Sequence, residues 1–419
     1  MARKNAITFD LSNVIIGVII LMPIFRYYNL PGTEIGSESL MSLLVFLLSS
    51  FVCITNRQRK FENFNKERKT FLLFFLWCFV ITSLYIINDN LHGNINNAIV
   101  AAIVGCSIIN ILSGRIRLGD CIRFYELLSR IIIIICVLQI VLATAGIHID
   151  FHIPFHDFNS SWQFSSDKIF GMGEHNTSLF SEPAHYSEFL LPYICYCLFE
   201  ESKKSGLLWA IIATITIVAT VSGTGIMLLT LIWILYYYNK GKFGFKSLLL
   251  LIFALSLVMG IFLYLQTMES YQNMFGNLFV GDDGFENNKA SYRIYRGWDY
   301  VRQMPFPENL FGVGFNNMES FATEHHIYSI FDSKFKMFEW WSGITEILLY
   351  FGLIGLVFFI IHTIKLFKGA SKASKMVFGV LFSLMFTSQI LFLETHFFYV
   401  LIGMALKNQI SINSKFSRK

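Results

Sequence analysis

The sequence predicts an all-α polytopic integral membrane protein, built as a single transmembrane domain over residues 1–419. The composition is strongly apolar, with 54% hydrophobic and 15% charged residues, far from the balance of soluble domains. The apolar residues form runs of about twenty, the length that a helix needs to cross the hydrocarbon core. The basic residues fall in alternate connections between these runs, which is typical of a membrane topology.

About twelve runs qualify as spanning helices, and an even number places both termini on one side of the membrane. The candidate spans lie near 9–29, 38–55, 70–87, 97–113, 130–147, 183–199, 206–221, 224–238, 247–266, 342–364, 376–393 and 396–406.

The connections on the side of the termini carry most of the 33 Lys and Arg residues, above all the segment NRQRKFENFNKERK at 56–69. The connections at 30–37 and 88–96 carry none. By the positive-inside rule we expect a multi-pass protein of the cytoplasmic membrane with both termini in the cytoplasm. The net charge of +5 then faces anionic lipid, so membrane lipids are the expected partners and nucleic acid is not.

The seven cysteines lie in spans or in cytoplasmic connections, so we expect neither an external disulfide nor a zinc site from their spacing. The chemistry is expected elsewhere. Two external segments, 148–182 and 267–341, are much longer than the other connections, and connections of this length are usually functional.

In the second external segment, SYRIYRGWDYVRQM at 291–304 places Ile294, Trp298 and Val301 at helical spacing, which predicts a short amphipathic helix. Arg293 and Arg296 share its other face. Two guanidinium groups so placed can bind a diphosphate through paired hydrogen bonds. The alternative is a solvated cationic face near the lipid headgroups.

The same segment continues with ENLFGVGFNNM at 308–318, where Gly312 and Gly314 permit a tight turn and a close backbone approach. His325 and His326 follow, and either imidazole can act as a general base near neutral pH. Surface histidines without a catalytic task are the alternative. We expect no metal, because adjacent histidines do not easily bind one ion and no third ligand has a suitable spacing.

The first external segment ends in SLFSEPAHYSEFLLPYI at 178–194, where Ser181 or Glu182 can cap the next span and Pro183 fits its first turn. Glu182 and His185 then share one helix face at the outer boundary. Further ionisable residues lie near outer span ends, which predicts a chamber that opens outward; they are Arg26, Glu188, Glu346, Glu394 and His396.

Between the seventh and eighth spans, VSGTGI at 221–226 joins two short helices. A helix that begins at Thr224 would direct free backbone N–H groups at an anion, as broken helices in membranes do. The alternative is an ordinary glycine turn.

Together these motifs resemble the Wzy-type polymerases of O-antigen and capsular polysaccharide and their relatives, the O-antigen ligases. FSEPAHYSEFL is similar to the family's "F-x-E-P-S" element after the first large external loop. The run from Arg293 through Trp298 to LFGVGFNN is similar to its arginine-aromatic-"P-L-x-G-x-G" element. SGTG and EILLYFGLIGLVFF (346–359) follow the same order, so the resemblance covers the whole chain.

The resemblance implies a GT-C-like glycosyltransferase of the bacterial inner membrane. It implies inverting, metal-independent transfer on undecaprenyl-diphosphate-linked glycans, without a cofactor. Arg293, assisted by Arg296, would stabilise the leaving diphosphate, and His325 or His326 would deprotonate the acceptor hydroxyl. Glu182 would shape the acceptor site; the other substrate-binding positions would be His185, Tyr186, Gly312, Gly314, Trp298, Lys168 and Thr224.

The family often has an arginine where this chain has Gly223 and Thr224, and another where it has Lys168. Ligase-like members often carry a His-Asn pair where this chain has Trp341 and Ser342, which favours a polymerase over a ligase. A flippase or transporter of lipid-linked oligosaccharides is the alternative from another class, although the sequence shows no internal repeat. A flippase and a chain-length regulator of the same pathway are the candidate protein partners.

Overall fold

The computed structural model describes residues 10–416 except for 27, 31, 34–35, 59, 88–94, 146, 148–156, 159–176, 181, 201–203, 221, 241–288, 330–331 and 333–340. The described chain is almost entirely helical. Its helices are α1 Leu11–Phe25, α2 Ser37–Thr55, α3 Asn65–Ile87, α4 Ile95–Ile111, α5 Cys121–Thr144, α6 Pro183–Phe199, α7 Lys204–Ala219, α8 Gly223–Asn239, α9 Lys289–Gln303, α10 Glu308–Phe311, α11 Met318–Glu324, α12 Gly343–Phe367, α13 Lys372–Thr387 and α14 Glu394–Phe416.

One pair of short antiparallel strands accompanies the helices in this part of the chain. β1 (Tyr28–Asn29) follows α1, and β2 (Asp157–Phe158) belongs to the first long external segment. Tyr28 pairs with Phe158, so this ladder fixes a point of that segment beside the end of α1.

Among the described helices, α2, α3, α5 and α12 are long and apolar enough to cross a membrane, judged by length and composition. The shorter helix α1 and most of α4 and α7 are also apolar. α2 exposes large apolar side chains, with Leu47, Phe51 and Ile54 at 56%, 59% and 73% exposure. Large exposed apolar surfaces are rare on soluble proteins and are what lipid-facing helices present. The expected helical membrane protein is confirmed at this level.

The centre of the bundle is formed by α6 and α14. Nearly every residue of α6 is buried, as are residues 397–406 of α14. Hydrogen bonds of buried tyrosines join the helices: the Tyr399 hydroxyl donates to the Glu188 carbonyl at 2.8 Å, and the Tyr125 hydroxyl donates to the Phe189 carbonyl at 2.5 Å. A helix that is hydrophobic all round belongs in such an interior.

Most of the predicted spans agree with observed helices to within about five residues at each end, but helix α5 begins at Cys121, nine residues before the span expected at 130–147, and two further spans differ clearly. The span expected at 183–199 coincides with α6, while the span expected at 247–266 lies outside the described residues. The span expected at 376–393 is too long, because α13 ends at Thr387 and the residues 388–393 form a turn. The span expected at 396–406 is too short, because α14 continues to Phe416.

The helix α12 is broken at Gly352, whose φ of 66° and ψ of −171° are not helical. Three carbonyl groups at the break accept hydrogen bonds from outside the helix: Leu349 O from Val313 N at 3.1 Å, Tyr350 O from Gly314 N at 2.9 Å, and Phe351 O from the indole Nε1 of Trp77 at 2.9 Å. Backbone groups without partners are costly in lipid, so these bonds make the break tolerable. They also fix the segment 313–314 against α12.

Near the start of α3, polar contacts join this part of the chain to α14. The Glu62 carboxylate accepts from Leu118 N at 3.0 Å and from Asn408 Nδ2 at 2.7 Å. Lys407 Nζ donates to Glu67 Oε1 at 2.7 Å and to the Lys368 carbonyl at 2.7 Å. These contacts of Lys407 and Asn408 explain why α14 continues beyond its short apolar run.

The first prediction concerns the break in α12. Gly352→Ala should strongly lower the stability, because the new Cβ would lie 2.3 Å from the Leu310 carbonyl oxygen at a positive φ. Gly369→Ala is the matched control, since Gly369 also has a positive φ but a Cβ there meets no described atom within 4 Å. Backbone strain alone should cost about 1–2 kcal/mol, and the clash should add about 2 kcal/mol. Thermal unfolding in detergent measures both; equal losses in the two variants would refute the role of the break.

The second prediction concerns pH. Burial raises the pKa of Glu62 to about 7, and the Leu118 backbone N–H opposes this shift only partly. The folded state therefore binds a proton that an unfolded carboxyl, with a pKa near 4.5, releases. This contribution to stability is complete below about pH 4.5 and is lost as the pH rises through about 7.

Glu62→Gln should therefore be more stable than the wild type at pH 8, by up to the order of 3 kcal/mol. The difference should shrink toward pH 5. Unfolding temperatures of both proteins across this range measure the effect. A difference that does not vary with pH would contradict it.

Candidate functional site: a polar cavity beside the break in α12

A cavity of about 420 Å³ lies where α1, α2, α4, α6 and α12 meet the turn 388–393. This size is within the range of small-molecule sites. Its wall combines aromatic rings with ionisable and amide groups. The polar and aromatic residues that line it are Arg26, Glu38, Ser39, Ser42, Glu182, His185, Glu188, Phe315, Asn316, Trp341, Glu346, Tyr350, Thr387, Ser388, Gln389, Phe392 and Glu394.

Three departures from regular helix surround this cavity. They are the start of α6, the segment at Phe315 and Asn316 that is held by the break in α12, and the turn 388–393. Irregular backbone inside a membrane domain is tolerated where it lines a cavity, and binding sites of membrane proteins are often formed by broken helices.

The charge of the lining is acidic. The described lining residues include five glutamates but one arginine, and Arg26 is engaged by Glu394 through an Nε–Oε1 contact of 3.0 Å. His185 is the one histidine among the described residues that line the cavity. Carboxylate oxygens accept hydrogen bonds from hydroxyl groups and repel anions. The cavity therefore suits a hydroxyl-bearing group better than a phosphate.

The start of α6 explains the position of Glu182. This residue occupies the N-cap with extended backbone, at φ −137° and ψ 148°, and its side chain makes no cap hydrogen bond. Pro183 begins the helix, as the sequence predicts. The carboxylate of Glu182 thus lines the cavity together with His185 and Glu188, one and two turns along the same helix.

Six of the seven ionisable residues that the sequence assigns to an outer chamber line this cavity: Arg26, Glu182, His185, Glu188, Glu346 and Glu394. His396 is not among the lining residues. It is buried to 1% exposure, and its Nδ1 accepts a hydrogen bond from Phe392 N at 3.4 Å.

The predicted helix with the paired arginines is present as α9, but its inner face is not the expected one. Arg296 and Tyr300 are fully buried, whereas Trp298 is 37% exposed. Arg296 donates from Nε and Nη2 to Asp332 Oδ1 at 3.1 and 2.8 Å, and the Tyr300 hydroxyl donates to Asp332 Oδ2 at 2.7 Å. Burial, together with the hydrogen bond to Asp332, raises the pKa of Tyr300. The side chain of Arg293 lies outside the described residues.

Gly297 sets the distance between α9 and the cavity wall. A Cβ at this position would lie 2.2 Å from Thr345 Oγ1 and 3.0 Å from the Cβ of Trp341. The glycine therefore allows α9 to lie directly against the start of α12. This contact places the arginine-bearing helix next to a residue that lines the cavity.

Gly312 and Gly314 have the backbone freedom that the sequence predicts, with φ of 87° and 83°. A Cβ on Gly312 would lie 2.3 Å from the Tyr350 carbonyl oxygen. Their described contacts are with α12 and with the end of α3, and neither glycine lines the cavity. Their assignment to substrate binding stays a prediction.

His325 and His326 end α11 and are both exposed. The His325 ring stacks on Phe321 at 4.1 Å, and His326 Nδ1 lies 3.3 Å from the Tyr328 hydroxyl. Neither imidazole lines the cavity. The choice of a histidine as the base stays a prediction.

The remaining predicted positions differ in their surroundings. Tyr186 is fully buried, and its hydroxyl donates to Thr216 Oγ1 at 2.8 Å. Thr224 lies in the first turn of α8, which Ser222 caps by accepting from Gly225 N at 3.1 Å. Ser222 therefore already satisfies one backbone N–H at this helix start, and the assignment of Thr224 to substrate binding stays a prediction. Lys168 lies outside the described residues.

Sequence reasoning missed Glu38 and Gln389, which also line the cavity. Glu38 follows the N-cap of α2, where an acidic residue has an ordinary explanation in the helix dipole. Gln389 lies in a turn that the apolar pattern predicts as helix. No group of three His, Cys, Asp or Glu side chains among the described residues is arranged to hold a metal ion.

No protein-family model matches the chain, and no curated protein is significantly similar to it.

Proposed function

We propose that this protein is a glycosyltransferase that polymerises undecaprenyl-diphosphate-linked oligosaccharide repeat units into O-antigen or capsular polysaccharide. It acts at the outer face of the bacterial cytoplasmic membrane, with about twelve spans, a GT-C-like fold and both termini in the cytoplasm. The alternation of basic connections supports the topology, and the order of motifs along the chain supports the family.

One structural observation carries this proposal. Glu182 and His185 at the start of α6 are far in the sequence from Glu346 in α12, and all three line one cavity of about 420 Å³. The arginine-bearing helix α9 lies against its wall at Trp341. Glycosyl transfer from a lipid diphosphate requires one site for a hydroxyl-rich acceptor and a neighbouring site for the diphosphate. The acidic cavity suits the acceptor, and the adjacent cationic helix suits the diphosphate.

In the proposed reaction, an acceptor hydroxyl oxygen attacks the anomeric carbon of the donor sugar. The bond between that carbon and the diphosphate oxygen breaks, and the diphosphate leaves with the electron pair. Arg293 would stabilise this charge, while the ion pair of buried Arg296 with Asp332 holds α9 in place. Preorganised donors to developing charge are usually a large contribution to catalysis. The aromatic rings of Trp341, Tyr350 and Phe315 offer surfaces for sugar faces.

The proposal predicts the products of deletion. Without this protein, glycans longer than one repeat should vanish while single repeats still reach their acceptor. Conversely, the purified protein in nanodiscs should convert the lipid-linked repeat unit into a ladder of glycan chains that differ by one repeat. Long lipid-linked chains that accumulate unattached would instead identify a ligase. A single repeat unit that stays on the inner leaflet would identify a flippase.

Arg293→Ala should lower the polymerisation rate about 100 to 1,000 fold, since a positioned donor to the leaving group is lost. Arg293→Lys should recover little, because an ammonium cannot form two parallel hydrogen bonds to phosphate oxygens. Arg302→Ala is the matched control, because Arg302 is an exposed residue of the last turn of the same helix. The measurement is the rate of ladder formation at matched protein levels. Similar rates for the Arg293 and Arg302 variants would show that these arginines form only a solvated face.

A further inference from the structure

Two buried polar atoms in the cavity wall have no hydrogen-bond partner in the described part of the chain: the indole Nε1 of Trp341 and the Oε2 of Glu346. Both residues line the cavity, with exposures of 2% and 1%. Buried polar groups are rarely left unpaired, and each exception calls for an explanation such as a bound ligand. The indole N–H is a donor, and the carboxyl oxygen is an acceptor when Glu346 is ionised.

Neighbouring groups hold both side chains in place. Gln389 Nε2 donates to Glu346 Oε1 at 3.3 Å, so one carboxylate oxygen is anchored and the other is left over. The Trp341 ring packs edge-on against Tyr300 at 5.7 Å and against Tyr350 at 6.2 Å. This arrangement is a preorganised pair of hydrogen-bonding groups and not a flexible surface.

The pair selects the chemical class of its ligand. A hydroxyl group donates one hydrogen bond and accepts others, so it can donate to Glu346 and accept from Trp341 at once. A phosphate or carboxylate offers only acceptors, and an ammonium offers only donors. The other glutamates of the cavity also disfavour an anion. A hydroxyl group therefore fits this pair, and under the proposed function this hydroxyl belongs to the acceptor sugar.

We propose that Glu346 and Trp341 bind the attacking hydroxyl of the acceptor unit and that Glu346 is the catalytic base. This inference rests on the proposed function. As the hydroxyl oxygen forms its bond to the anomeric carbon, its proton passes to Glu346 Oε2, and the electron pair of the breaking bond leaves with the lipid diphosphate. The proton then returns to solvent through the cavity. Trp341 N–H orients the hydroxyl oxygen during this transfer.

The test measures initial rates of chain elongation by the purified full-length protein in nanodiscs, with the lipid-diphosphate repeat unit as the substrate. Glu346→Gln keeps the shape and removes the base, so kcat should fall about 100 to 10,000 fold with a much smaller change in KM. Glu346→Asp keeps a carboxylate and should recover part of kcat. Trp341→Phe keeps the ring and removes the donor, so kcat/KM should fall roughly threefold to tenfold.

The matched controls are Glu319→Gln, an exposed residue of α11, and Trp209→Phe, a residue of α7 that does not line the cavity. Both should stay within about twofold of the wild type, the spread of ordinary surface substitutions. Unfolding temperature and size-exclusion profile report whether each variant is folded. If Glu346→Gln does not fold, the Asp and Phe variants still provide the test.

The outcomes separate the two proposals. If the wild type forms no ladder, the proposed function fails. If the wild type forms a ladder and folded Glu346→Gln elongates at more than a tenth of its rate, the assignment of the base is overturned while the function stands. Activity of Glu346→Asp no higher than that of Glu346→Gln, or an unchanged Trp341→Phe, would likewise overturn the hydroxyl site.

Discussion

The break of α12 at Gly352 is the constraint on which the arrangement around the cavity depends. It turns the carbonyl groups of Leu349, Tyr350 and Phe351 away from the helix, and the backbone of Val313 and Gly314 and the Trp77 indole satisfy them. In an apolar environment these groups must find partners, since unpaired ones cost free energy. The segment that supplies the partners is thereby attached to the spanning helix.

Attachment at this point has consequences on both sides of the break. The chain continues from Gly314 to Phe315 and Asn316, which line the cavity. The half of α12 before the break carries Glu346 and Tyr350 into the same wall. α9 lies against the start of this half through Gly297. One glycine with a positive φ therefore brings the helix α12, the loop segment and the helix with the arginines into a single arrangement.

The fold was largely predictable because spanning helices follow from local composition. α6 has the expected bounds, since Pro183 and the apolar run after it leave few alternatives. The sequence predictions are wrong where a residue distant in the chain determines which face of a helix is buried or where a helix breaks. The inner face of α9 is set by Asp332, which neutralises Arg296, and periodicity within the helix cannot reveal such a pair. The span expected at 342–364 was read as unbroken, because Gly352 and its distant hydrogen-bond partners look apolar in the sequence. The turn at 388–393 was read as helix for the same reason.

The candidate site was predictable in part on similar grounds. Ionisable residues near the outer ends of apolar runs are visible in the sequence, and Glu182, His185 and Glu346 share a cavity in the structure. Trp341 was noted as a departure from a ligase motif, but the placing of its indole N–H, which has no described partner, in the same cavity as Glu346 depends on the fold. The sequence indicates which groups are out of place in a membrane, and the structure indicates which of them line one cavity.

We propose that this cavity receives the sugar of the acceptor unit while the lipid diphosphate lies toward α9. The most direct test is a cryo-EM structure of the protein with a non-cleavable phosphonate analogue of the lipid-linked repeat unit. We expect density for a sugar ring within hydrogen-bond distance of Glu346 and Trp341. Well-resolved sugar density elsewhere on the protein, with this cavity holding only water, would contradict it.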